Sequence, residues 1–170
     1  YALCIVDTGG SHSDLTDEYA AVRKEMESVA EYLGKSVLRE VDEDEFMKNI
    51  ADIRSSCGDR AVLRAMHFYG DNARVEKQAA ALKAGDFETF KKYIIESGRS
   101  SYMYNQNVYS CKKASEQPVS LALSLSEKLL DGCGAWRAHG GGFAGTIQAF
   151  VPLNQHAAYK DLMEKVFGSG

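Results

Sequence analysis

The chain reads as an α+β domain, an antiparallel sheet with its helices packed on one face, and three observations carry that reading. Tyr1-Ala2-Leu3-Cys4-Ile5-Val6 is a strand-like opening. A long middle section repeats apolar residues at steps of three and four, the period of helices packed through one face. Towards the end, two short strand-like runs flank a glycine cluster and are followed by one more amphipathic segment. Strand, helices, then helix–strand–strand–helix is the order of a sheet layered with helices.

Each element has a local warrant. After the first strand, Asp7 to Asp14 is a polar, glycine-bearing turn. Leu15, Tyr19, Val22, Met26, Val29, Tyr32 and Leu33 then form the apolar stripe of a helix, with Asp14 or Ser13 as its cap and Gly34 at the C′ position. A second helix is expected from Asp42, its cap, to about Arg54, with Phe46, Ile50 and Ile53 on one face. A third runs from about Gly58 to Ala84 through Ala61, Ala65, Phe68, Tyr69, Val75, Ala79 and Leu82. Gly70 inside it predicts a kink or a close approach. Asp86 caps a short helix to Ser97, and the stretch from Ser101 to Ser110 has no period and reads as a loop. Pro118 opens another helix at a position where a missing N–H is harmless, running to Gly132. Asn154 is expected to cap the last helix, with Tyr159, Leu162, Met163, Val166 and Phe167 buried.

Composition narrows the function. With 170 residues, 45% apolar and 26% charged, the chain suits one soluble domain, 1–170. A net charge of −4 and the lack of a basic stripe argue against nucleic acid and anionic membrane as partners. No apolar run approaches the roughly 20 residues a membrane helix needs, and the chain reads as cytoplasmic. Cys4, Cys57, Cys111 and Cys133 are scattered, which favours reduced, packed thiols. The spacing of His12, His67, His139 and His156 predicts no metal site. A strand at the very first residue suggests a piece of a longer protein.

The glycine cluster is the most informative stretch. Gly140-x-Gly142-x-x-Gly145 has the spacing of a dinucleotide fingerprint, yet a strand rather than a helix follows it, so that reading fails on context. A glycine hairpin with no ligand stays open beside a ligand-binding turn.

The wording His139-Gly140-Gly141-Gly142-Phe143-Ala144-Gly145-Thr146 resembles the third conserved motif of galactokinases, in the GHMP kinase superfamily. The chain departs from that motif at Ala144, often glycine, and at His139, often threonine. Further anchors follow in order. Gly9 to Lys24, with Glu18-Tyr19 and Arg23, is similar to the family's Asn-Ser-x-x-x-His-x-Leu-x-x-x-Glu-Tyr-x-x-Arg-Arg segment. Arg64-Ala65-Met66-His67, Ala73-Arg74-Val75 and Gly85-Asp86-Phe87 resemble family positions too, while Glu96-Ser97-Gly98 lacks the histidine often found after Glu-Ser.

The resemblance implies a ferredoxin-like C-terminal domain, commonly completed by a last strand whose absence would leave an open sheet edge. It implies ATP-dependent phosphorylation of galactose to galactose 1-phosphate in the intact protein. ATP and Mg²⁺ would be held mainly by an N-terminal domain outside this chain, and no catalytic residue lies within it. Tyr19, Gly140, Gly141 and Gly142 become the expected substrate-binding residues, and His139, Phe143 and Gly145 the loop's supports. Tyr19 also lies on the apolar stripe, so core packing is its alternative role, and His67 reads as a satisfied helix histidine. A sugar-responsive regulator without turnover would carry the same residues; a GHMP kinase for another small alcohol is a further alternative, against which the Glu18-Tyr19 and Arg23 segment favours galactokinase. The expected partners are galactose and the N-terminal domain.

Overall fold

The computed structural model describes residues 1–11 and 14–169. Strand β1 (Ala2–Asp7) is followed by helices α1 (Thr16–Tyr32), α2 (Glu43–Lys48), α3 (Ile50–Cys57), α4 (Asp59–Lys83), α5 (Phe87–Ser100) and α6 (Pro118–Leu130). The hairpin β2 (Ala135–Ala138) and β3 (Thr146–Val151) and helix α7 (His156–Phe167) complete it. The sheet is antiparallel in the order β1-β3-β2, with Leu3 opposite Phe150, Asp7 opposite Thr146, and Ala138 opposite Ile147. Helices α6 and α7 cover one face, closing over Val6, Ile147, Ala149 and Val151. On the other face Phe87 and Phe90 of α5 meet Phe150, while Leu3 and Ile5 remain exposed. A second core joins α1, α3 and α4 through Val29, Ile53, Ala65 and Tyr69.

Several local expectations hold. Asp42 accepts the Asp44 and Glu45 amides, Asp86 accepts that of Thr89, and Gly34, at φ +72°, ends α1. Gly70 leaves α4 unbroken and is a close approach: a Cβ there would stand 3.3 Å from the Arg74 guanidinium.

Others are corrected. Leu15 rather than Asp14 precedes α1, and Ser13 lies outside the described residues. The expected second helix divides at Asn49, whose Nδ2 donates to the Glu45 carbonyl and so satisfies the end of α2. Asn154 does not cap α7. It sits in a 3₁₀ turn closed by the Gln155 amide on the Pro152 carbonyl. Tyr32, Val75, Leu82 and Val166 face solvent because no element covers those flanks, and Ala81 is buried instead. The supposed loop from Ser101 begins as a π-helical turn continuing α5 (Ser101–Asn105), and Asn105, Asn107, Val108 and Ser110 are buried. All four cysteines are free, and Cys111 is exposed rather than packed.

His67 is a helix histidine with partners: Nδ1 lies 2.9 Å from Ser100 Oγ, and Nε2 lies 3.9 Å from Asp71. Burial lowers its pKa from the ordinary 6.5, Asp71 opposing and Arg74 and Arg137 reinforcing the shift. The folded chain therefore holds the ring neutral, and as pH falls the unfolded chain takes up the proton first. The stabilisation is complete above about 6.5 and is lost below it. Urea midpoints should fall between pH 7 and pH 5, and His67→Gln should flatten that fall. An equal slope in the variant would show that His67 is not the group responsible.

Candidate functional site

The β1 end, the start of α1 and the β2–β3 turn converge. Thr8, just after β1, donates its amide and its hydroxyl to the Gly145 carbonyl, at 2.9 and 2.6 Å. That tie sets the glycine turn beside the entry to α1, so Tyr19, one turn into the helix, arrives over it. The Tyr19 hydroxyl donates to the Gly142 carbonyl at 2.6 Å, and its ring meets Phe143 edge-on at 5.2 Å. A Cβ on Gly141 would stand 2.8 Å from the Tyr19 ring, so glycine is needed for this approach. Burial raises the Tyr19 pKa, with the Ala144 amide partly offsetting it.

The turn's backbone is unusual and its supports are specific. Gly140 and Gly142 have φ of +75° and +80°, and Phe143, not a glycine, has +55°. A non-glycine residue there needs outside support. Phe143 has it from a ring 4% exposed against Leu15 and Ala144, and from an amide bonded to the Asn107 carbonyl. His139 and Thr146 close the turn's base, Nδ1 lying 3.1 Å from Oγ1. Ala144 is accommodated by Gly10, where a Cβ would come within 3.1 Å of the Ala144 methyl.

A cleft of about 540 Å³ opens here, lined by Asp7, Tyr19, His139 and the Gly140–Gly142 turn. Behind Tyr19 a more apolar groove of about 620 Å³ runs along Val22, Met26, Val37 and Phe68, and shares Tyr19, Gly140 and Gly141 with the cleft. Tyr19 and the triple glycine thus form one surface. Sequence reasoning did not single out Asn107, whose Nδ2 donates to the Gly141 carbonyl at 3.0 Å, nor Thr8. Both act across more than thirty positions of chain, and no local pattern marks such a contact. Among the described residues, no group of three or more His, Cys, Asp or Glu side chains is placed to hold a metal ion.

This combination of a three-stranded antiparallel sheet, flanking helices and a glycine hairpin has a close structural parallel. A Lactococcus lactis galactokinase solved in complex with galactose superposes with a TM-score of 0.71, over 98% of this chain and 41% of that one, at 23% identity. The superposition shows a shared fold. Sequence identity is higher with other galactokinases. Human galactokinase is 35% identical over 144 residues, 85% of this chain and 34% of that protein. The Bos taurus galactokinase is 34% identical over 165 residues, 97% and 38%, and that of Thermotoga neapolitana 30% over 166, 98% and 42%. No family model matches the chain. The chain is thus similar to galactokinases over most of its length, and it spans between about a third and just over two fifths of the length of these relatives.

Proposed function

We propose that the chain is the C-terminal domain of a galactokinase and forms one wall of an interdomain cleft where ATP phosphorylates galactose at its C1 hydroxyl. The observation that carries this is the meeting of the Tyr19 hydroxyl with the Gly142 carbonyl at the cleft lined by the glycine turn. In this reading Tyr19, Gly140, Gly141 and Gly142 face the sugar, and His139, Phe143 and Gly145 hold the turn in shape. Kinship to proteins named galactokinase supports the substrate class.

Phosphoryl transfer needs charge neutralisation and a positioned nucleophile. Following the resemblance to galactokinases, the metal, the ATP phosphates and the general base are assigned mainly to an N-terminal domain outside this chain. Among the described residues, no helix is long and apolar enough to cross a membrane. Four free thiols fit a reducing cytoplasm.

The full-length protein should form ADP from ATP only when galactose is present, whereas this chain alone should be silent. Tyr19→Phe in the full-length protein removes one hydrogen bond at the sugar's wall. It should raise the galactose KM by about two- to thirteenfold, the equivalent of a bond worth about 0.5–1.5 kcal/mol. A full-length protein that binds galactose but never turns over would point to a sensor instead, and an unchanged KM would remove Tyr19 from the site.

A further inference from the structure

We infer that Asn107 is a positioning residue, which fixes the glycine turn so that the carbonyls of Gly141 and Gly142 are taken up within the protein and the amides of Gly140, Gly141 and Gly142 are left for the hydroxyl oxygens of a bound hexose. The inference rests on the galactokinase reading and adds a residue and a chemistry to it.

Asn107 is 6% exposed, yet all three of the polar functions it brings to this region are engaged. Its Oδ1 accepts the Ser101 hydroxyl at 2.6 Å, its Nδ2 donates to the Gly141 carbonyl at 3.0 Å, and its own carbonyl accepts the Phe143 amide. The bond from Ser101 decides which way the side-chain amide faces, and so keeps Nδ2 on the turn. The segment bearing Asn107 is itself held. Arg64 Nε donates to the Asn105 carbonyl at 3.0 Å, and Gln106 takes the left-handed conformation, φ +52°, that turns the chain toward the glycines.

The effect on the turn follows from counting its backbone groups. The Gly141 carbonyl is taken by Asn107, and that of Gly142 by Tyr19 and the Ala144 amide. The amides of Gly140, Gly141 and Gly142 have no protein acceptor among the described residues, and all three residues line the cleft. Gly140 and Gly142 have positive φ while Gly141 between them does not. Alternating handedness is the backbone form that gathers successive N–H groups around an electron-rich atom. Three consecutive glycines would not hold that form unaided, because glycine has the most conformational freedom to lose.

The test is steady-state kinetics of the full-length protein with galactose and with ATP, beside melting curves without sugar. Asn107→Asp keeps the size and swaps the Nδ2 donor for an acceptor facing the Gly141 carbonyl. Ser101→Ala leaves the turn untouched and frees the Asn107 amide to rotate. The galactose KM should rise about tenfold or more in the first and about two- to threefold in the second, with the ATP KM within about twofold of wild type. Either variant, folded and with an unaltered galactose KM, overturns the inference. So does an ATP KM that rises in step with that of galactose, the mark of general loosening or of phosphate as the bound oxygen. If Asn107→Asp does not fold, Ser101→Ala carries the decision. A wild-type protein that does not phosphorylate galactose overturns the galactokinase reading and this inference with it, whereas wild-type turnover with unaltered variants overturns the inference alone.

Discussion

Gly142→Ala should destabilise the domain by roughly 2–5 kcal/mol, against about 1–2 kcal/mol for Gly140→Ala two residues away. Both glycines have positive φ, so the conformational penalty for an L side chain is shared. They differ in the space around them. A Cβ on Gly140 meets nothing within 4 Å, whereas on Gly142 it would overlap the Asn107 carbonyl and crowd its Nδ2. The carbonyl is backbone, fixed by its bond from the Phe143 amide, and cannot rotate aside. Paired urea titrations of the two variants measure the difference. Equal losses would mean that the turn yields freely, and the account of its rigidity would be wrong. Gly142→Ala should also weaken galactose use in the full-length protein, because the Tyr19 hydroxyl would lose its seat on the Gly142 carbonyl.

Arg64→Ala is expected to cost about 3–5 kcal/mol, the range for breaking a buried, hydrogen-bonded ion pair from one side. The Arg64 side chain is 1% exposed, and its NH1 lies 2.8 Å from Glu25, which Arg60 also grips from the surface. Burial pulls the guanidinium below its ordinary pKa, against the attraction of Glu25. Its Nε holds the Asn105 carbonyl, so removing it strands a buried acceptor, while Glu25 is left with Arg60 alone. Arg64→Lys should recover only part of the loss, since one ammonium cannot bond Glu25 and Asn105 in two fixed directions as a guanidinium does. Arg60→Ala is the control. That partner is half exposed and should cost about 1 kcal/mol or less. If both arginines cost the same, the buried pair has no special part in the fold.

These two sites lie at the ends of one physical chain. Glu25 on α1 meets Arg64 on α4, Arg64 holds Asn105, and two residues on Asn107 holds the turn that Tyr19, again from α1, closes from the other side. The helix that presents Tyr19 is thereby tied to the segment that shapes the turn it meets. A loss at Arg64 should therefore be felt in galactose kinetics before the domain unfolds.

Much of this architecture was legible beforehand, and the legible parts share a cause. The strand at Ala2–Asp7, the long helix ending at Gly34, the caps at Asp42 and Asp86, the proline start of α6 and the hairpin around the glycines are all set by neighbours within a few positions. Hydrophobic period, side-chain capping and glycine or proline torsions act over that range. The same reading went astray where exposure depends on what comes to lie opposite. Val75 and Leu82 keep helical spacing yet stay in water, because no other element packs there. Tyr102, Tyr104 and Tyr109 show no period, yet the stretch they punctuate is a π-helical turn and a buried brace.

Local chemistry along the chain thus specified the elements, the antiparallel hairpin and the glycines that could bend, together with the motif that points to galactokinases. Folding in three dimensions settled which of those elements share a core, that Tyr19 and the triple glycine form one surface, and that Asn107 and Arg64 hold it. The division follows from range. Torsional preference and capping are decided within a turn or two of backbone, while a hydrogen bond from Asn107 to Gly141 or from Arg64 to Asn105 joins groups 34 and 41 positions apart and exists only once the chain has closed on itself.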